Sequence, residues 1–404
     1  MLFKIAWRNL LRNKRRSLII LVSICVGVAA LLFNDALSVG IMDQLLDNQI
    51  MSNTAHIQIH EKGYNGNKVI QKLVPEPEKV ENVLRYDKNV KYFSKRLFSY
   101  GLLSSANSSA GIALEGVEPQ KEPKISTIKK SIIQGHYLTG KSHEIVIGEK
   151  LAEKLEVGLG DKVVAIATDI NGIVSNELFR VVGIYKTSSW DFDRTFIYVS
   201  LTDAREMLGV GNNVSEFAII IKEPDKVMGI KSGIAKRLGS RYEVLAYPEL
   251  LPMIMTMIEI YKEYSYVMYL IIGIAILFGI INTMLMSVFE RINEIGVLMA
   301  IGMRNLRIFI MVLLEAFILG GVGTLAGFII GLALVITLSH TGIDLSFASS
   351  ALSSMGFSNI IYPKLNVMVI LNAIFIMPFV AMLGAVYPAR KALKLQPTDA
   401  MRHV

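Results

Sequence analysis

The chain has 404 residues, 52% of them hydrophobic, with a formal charge of +8 and a mean hydropathy of +0.46. Its apolar residues come in long blocks, which excludes an ordinary soluble enzyme and points to a membrane protein. The lone cysteine, Cys25, can form no intrachain disulfide. The charge excess is no nucleic-acid surface: residues 38–263 carry 28 basic and 28 acidic side chains, while the surplus collects at 1–16 and beside the apolar blocks.

Residues 1–16 hold six basic side chains and no acid, with apolar positions at helical spacing around Trp7. This predicts a basic amphipathic helix on an anionic inner leaflet. A first span follows at 17–37. Ser17–Phe33 is long for the apolar region of a cleaved signal peptide, and apolar positions continue at helical spacing to Ile50, so the span reads as an uncleaved anchor. Asn34 and Asp35 at its outer end are expected to be solvated.

Residues 38–263 read as a stalk and an α+β domain large enough for its own core. Strands are expected at Ala55–His60, Gly111–Val117, Ile145–Ile147, Lys162–Thr168, Glu177–Lys186, Thr195–Val199, Phe217–Lys222 and Tyr242–Ala246, with Asn171-Gly172 turning a hairpin. Helices are expected at Glu149–Leu155, Thr202–Leu208 and Asp225–Leu238; residues near 62–80 and 118–130 read as polar loops. Pro248 and Pro252 mark the return to the membrane. Met253–Phe289 reads as one helix whose outer third stands in water and whose span is 264–289. Residues 290–306 follow as a short interfacial helix, 307–338 as a third span and 339–364 as an outer loop. A fourth span is expected at 365–387, opened or kinked at Pro378, before a basic tail at 388–404. Four spans leave both termini and the basic flanks inside, and the large domain outside.

Gly135-His-Tyr-Leu-Thr-Gly-Lys-Ser142 matches a P-loop letter for letter. A P-loop needs a helix after it, whose N-terminal amides cradle phosphate, and Glu144-Ile-Val-Ile-Gly148 reads as a strand. His56, His60, His136 and His143 lack a cysteine or second ligand pair and read as surface or hydrogen-bonded histidines, not metal ligands. No nucleophile–base arrangement stands out, so neither catalysis nor a bound cofactor is expected of this chain. Within the spans, Gly323, Gly327 and Gly331 recur every fourth residue, a stripe that suits a sliding subunit or bundle seam as well as ordinary intrachain packing. Glu315 is the carboxylate inside a span, and an ion pair with Arg307, two turns away, is weighed against a part in transmitting movement.

The segment Glu290-Arg-Ile-Asn-Glu-Ile-Gly-Val-Leu-Met-Ala-Ile-Gly302 lies between the second and third spans. It resembles the coupling-helix motif of FtsX-like ABC transporter permeases, with Asn293 where the family carries arginine. Ala6-Trp-Arg-Asn-Leu10 and Tyr387-Pro-Ala-Arg-Lys-Ala-Leu393 are similar to that family's two ends. In the outer domain, Leu114-Glu-Gly-Val117, Gly135-His-Tyr-Leu138 and Ile147-Gly-Glu-Lys-Leu-Ala152 resemble the MacB-like core domain of lipoprotein-releasing permeases of the Lol type.

The resemblance implies a membrane fold of four transmembrane helices, with a large α+β extracytoplasmic domain inserted between the first and second. It also implies a homo- or heterodimer in a bacterial inner membrane, served by separate cytoplasmic ABC ATPase subunits that bind ATP and magnesium. The docking residues it implies are Glu290, Arg291, Glu294, Ile295, Gly296, Leu298 and Gly302. Release of lipoproteins from the outer leaflet, with a periplasmic carrier as a further partner, is the implied activity. A MacB-like exporter of peptides or small molecules and a permease that activates a cell-wall hydrolase are the alternatives. The sixteen residues before the first span leave no room for the fused ATPase of many exporters, and a smaller outer domain is expected of the signalling type.

Overall fold

The computed structural model describes residues 14–354, 356–365 and 367–393. The expected amphipathic helix of residues 1–16 and tail of 388–404 fall largely outside them. The chain divides into two compact units. A membrane unit comprises Met1–Met42, Met257–Asp344 and Ile360–Val404, and a sheet unit comprises Asp43–Thr256 and Leu345–Asn359.

Helix α1, Lys14–Gln49, contains no proline and runs without a break into a π-helical turn, Ile50–Thr54. The turn closes at Ala55, whose φ of 58° is unusual for a residue with a side chain. Strand β1 is Ile57–Glu61, and α2, Pro77–Arg85, begins with the proline and acidic residue favoured in a first helical turn. Strand β2, Val90–Ser104, is the longest in the chain, and β3 is Ser109–Val117. Next come β4 (Ile132–Gly135), β5 (Glu144–Gly148), α3 (Glu149–Leu155), β6 (Lys162–Thr168) and β7 (Val174–Tyr185). The unit continues with α4 (Trp190–Thr195), β8 (Phe196–Ser200), α5 (Leu201–Leu208), β9 (Glu216–Ile221), α6 (Val227–Leu238) and β10 (Tyr242–Ala246).

The strand registers show how β2 organises this unit. Its C-terminal half pairs with β3 on one side and β6 on the other. From β3 the ladder passes to β8, β5, β7 and back to β6, so six strands close into a ring. The N-terminal half of β2 pairs instead with β9, which leads to β1 and β10 as an arm off the ring. The main core, including Ile57, Leu97, Leu114, Ile147, Leu151, Val199 and Phe217, lies within this unit. Each such side chain contributes about 1.5–3 kcal/mol by leaving water.

Beyond the short helix α7, Tyr247–Leu250, helix α8 spans Pro252–Glu290 and α9 spans Ile292–Ala300. Helix α10 spans Asn305–Thr341. In the loop that follows, β11 (Ile343–Asp344) pairs with β12 (Ile360–Ile361) around α11, Ser349–Ser354. The last helix, α12, is Val367–Leu393 and carries both Pro378 and Pro388. Among the described residues, three helices are long and apolar enough to cross a membrane: Ser17–Thr54, Pro252–Glu290 and Asn305–Thr341.

Lipid offers no hydrophobic drive for helix association, so close approach of small residues does the packing. Ala381, Ala385, Ala389 and Ala392 form a fully buried face of α12, and a Cβ on Gly320 of α10 would sit 2.6 Å from that of Ala381.

Candidate functional site

The segment between α8 and α10 folds as a short helix. Arg291, with φ −106° and ψ 18°, breaks the helical path and caps α9. Ile295 and Gly296 turn inward, Ile295 packing in one core with Val288, Ile308, Val312, Ala389 and Ala392. The outward face carries Asn293, Glu294, Val297, Ala300 and Ile301, the last 79% exposed. Glu290 is exposed at the junction and Leu298 is half-buried.

The helix ends in a Schellman turn, Met303 N donating to Leu298 O and Gly302 N to Met299 O, both at 3.0 Å. Gly302 has φ 90°, so its place in the motif is to stop the helix. Ile295 and Gly296, expected as docking residues, are buried in this structure, while Val297 and Ile301 supply apolar surface that the motif resemblance did not single out.

Arg291 is the hub of this corner. Its Nη1 donates to both oxygens of Glu315 on α10, at 3.0 and 3.1 Å, and its Nε donates to Glu294 of α9 at 3.2 Å. Glu315 is buried, at 3% exposure. The expected partner Arg307 is exposed instead. It lies eight residues earlier on the same helix, about 12 Å along the axis, whereas the turn at Gly302 folds Arg291 back beside the carboxylate. Asp35 departs from expectation in the same way: it is 5% exposed rather than solvated, and accepts a hydrogen bond from the Tyr269 hydroxyl at 2.8 Å.

The glycine stripe packs within the chain. A Cβ on Gly323 would lie 2.9 Å from the Ile24 Cβ, one on Gly327 would lie 2.5 Å from the Cys25 carbonyl oxygen, and one on Gly331 would lie 3.1 Å from the Ala29 Cα. The stripe is thus the seam between α10 and α1. Gly327→Val is expected to lower stability in detergent by at least about 1–3 kcal/mol through overpacking. Gly321→Ala, where nothing lies within 4 Å, is the control that should leave the melting temperature unchanged.

In the sheet unit, the P-loop match runs from β4 through a loop into β5, so a strand follows it where a P-loop opens a helix. His56 is buried, and its Nδ1 accepts from Ile221 N at 3.2 Å. His60 is also buried, between Gln58 Oε1 at 3.1 Å and Ser215 O at 3.3 Å. Burial pushes both imidazoles below their ordinary range, which favours the neutral form. Sequence reading missed the largest polar feature of this unit: Arg96, 1% exposed, with Glu115, Glu122 and Glu216 around it.

Long apolar helices that bracket a large α+β unit, with a short capped helix between two of them, define the class as a membrane permease. The family model described as the MacB-like periplasmic core domain matches residues 17–236, and that of the FtsX-like permease C-terminal region matches 266–397. The chain belongs to the FtsX-like, MacB-domain family of ABC transporter permeases. It is 23% identical to the lipoprotein-releasing system transmembrane protein LolE of Haemophilus influenzae, over 99% of this chain and 98% of that one. It is 24% identical to the corresponding LolC of Neisseria meningitidis, over 80% and 81%. Among solved structures it is similar to the periplasmic region of MacB from Actinobacillus actinomycetemcomitans, at 17% identity and a TM-score of 0.38, over 52% of this chain and 97% of that one.

Proposed function

We propose that the chain is the permease subunit of a mechanotransmission ABC transporter that releases lipoproteins from the outer leaflet of a bacterial inner membrane. On this reading it has four spans, both termini inside and the sheet unit in the periplasm. It works as a dimer and binds no nucleotide itself; ATP and magnesium belong to a separate ATPase. The observation that carries the reading is α9. Its exposed Asn293, Glu294, Val297 and Ile301 form a mixed apolar and acidic docking face, while Arg291 ties the helix to α10 through Glu315. A push from an ATPase on that face would reach the spans through a charged fork rather than a flexible loop.

The likeness to LolE over nearly the whole of both chains, and to LolC over about four fifths of each, favours lipoprotein as cargo over the small molecules of an exporter. The first test is co-purification with the cognate ATPase. Val297→Asp and Ile301→Asp are expected to weaken that association at least about tenfold, the scale of a lost apolar anchor, without changing the melting temperature. Retained association in both would sink the docking face. Gly296→Trp is a poor probe because Gly296 is buried. For cargo, the reconstituted complex is expected to hand a triacylated lipoprotein to a soluble carrier only with ATP. No transfer, with ATPase stimulation by a peptide, would favour the exporter.

A further inference from the structure

A polar row crosses one face of the sheet unit. Gln58 and His60 of β1, Glu216 of β9, Arg96 of β2, Glu115 of β3 and Tyr198 of β8 occupy neighbouring strands, with Arg96 opposite Glu216 and Glu115 opposite Tyr198 in register. The π turn Ile50–Thr54 and the segment 118–131 bear on this row. Thr127 N donates to Met51 O at 2.8 Å, and Glu122 reaches Arg96. Met51 also packs with Ile125, Ala218 and Ile220.

Counting donors on Arg96 exposes a competition. Its Nε and Nη2 serve Glu122, at 3.2 and 2.5 Å. Its Nη1 has two hydrogens but four acceptors: the Asn53 carbonyl oxygen, Asn53 Oδ1 at 3.1 Å, Glu216 Oε1 at 3.1 Å and Glu115 Oε1 at 3.3 Å. Glu115 has the longest of these contacts. It is 2% exposed, and its Oε2 is buried with no hydrogen-bond partner. An ionised carboxylate in that position is the most poorly compensated charge of the cluster.

We propose that Glu115 holds a proton, and that this proton leaves Arg96 Nη1 free to clamp Asn53, making the cluster a proton-controlled joint between the end of α1 and the sheet. Release of the proton to solvent would turn Glu115 into a full competitor for Nη1 and draw the guanidinium from the Asn53 carbonyl. The charged and titratable groups that face Glu115 are Arg96 and Glu216, Glu122 from the covering segment, and Lys68, Tyr64, Tyr137, Tyr185 and Tyr198 around it. Burial pushes Glu115 up to about 8; Arg96 pulls it down, while Glu216 and Glu122 push it further up.

The sign of the pH effect follows. A carboxyl raised in the closed joint is held protonated there while the open form ionises near the ordinary value, so the joint weakens as pH rises between the two and levels off above about 8.

The test uses hydrogen exchange of the full chain in detergent, read at Ala55 N–H and Thr127 N–H, which bond to Ile50 O and Met51 O. After correction for the chemical rate, wild-type protection is expected to fall by up to about tenfold per pH unit from about pH 6 to 8. Glu115→Gln should abolish that slope and hold protection at the low-pH value. An unchanged slope in Glu115→Gln, or no slope in the wild type, overturns the proposal. If the variant does not fold, infrared spectroscopy of the wild type decides. A carboxylic-acid stretch that disappears between about pH 7 and 9 supports the joint, and its absence at neutral pH overturns it.

Discussion

Arg96→Met is expected to destabilise the sheet unit by about 3–5 kcal/mol, the scale for removing one partner of a buried charge cluster. The loss strands Glu122, which takes two hydrogen bonds from Arg96, and leaves Glu216 without its cation. It also removes the donor that holds the Asn53 carbonyl at the π turn. Thermal unfolding followed by Trp190 fluorescence reports on this unit, because Trp190 begins α4 under Lys150. A melting temperature within a degree or so of wild type, against the several degrees expected for a loss of this size, would show that the cluster contributes little.

The second large effect concerns Arg291. Arg291→Met removes the nitrogen that serves both oxygens of a buried carboxylate and the tie from Nε to Glu294, and should cost several kcal/mol in the membrane unit. Arg291→Lys should recover only part of this, since a point charge cannot reproduce the fork. The informative variant is the double replacement Arg291→Met with Glu315→Leu. An apolar pair in place of a buried ion pair often restores stability, so the melting temperature should rise back towards wild type. ATPase-linked cargo release should stay low if the fork transmits movement. Recovery of both would make the pair a purely structural tie.

How far the structure was legible in the sequence depended on contiguity. Helices α1, α8 and α10 follow from unbroken apolar runs, and β6 and β10 have the expected bounds because their alternation is clean. Strand β2 was missed for an instructive reason: Ser94 and Arg96 occupy a buried face, so the strand carries polar side chains where a core pattern calls for apolar ones. Helix α2 was not anticipated, its first turn falling in the stretch near 62–80 read as loop, and neither was α4, whose last residue was placed in the following strand. At the candidate site the motif located α9, but its inward and outward faces depend on the turn at Gly302 and on the packing of α10 and α12. The partner of Glu315 was hidden by the same turn, since Arg291 is 24 residues away in sequence.

The closed ring built on β2 has one more consequence. Among the described residues, the path from strand to strand through the sheet unit ends at β4 and β10, four and five residues long. Short edges offer little template for strand addition by another copy. The two ends of the path therefore give another copy of this unit little backbone to pair with.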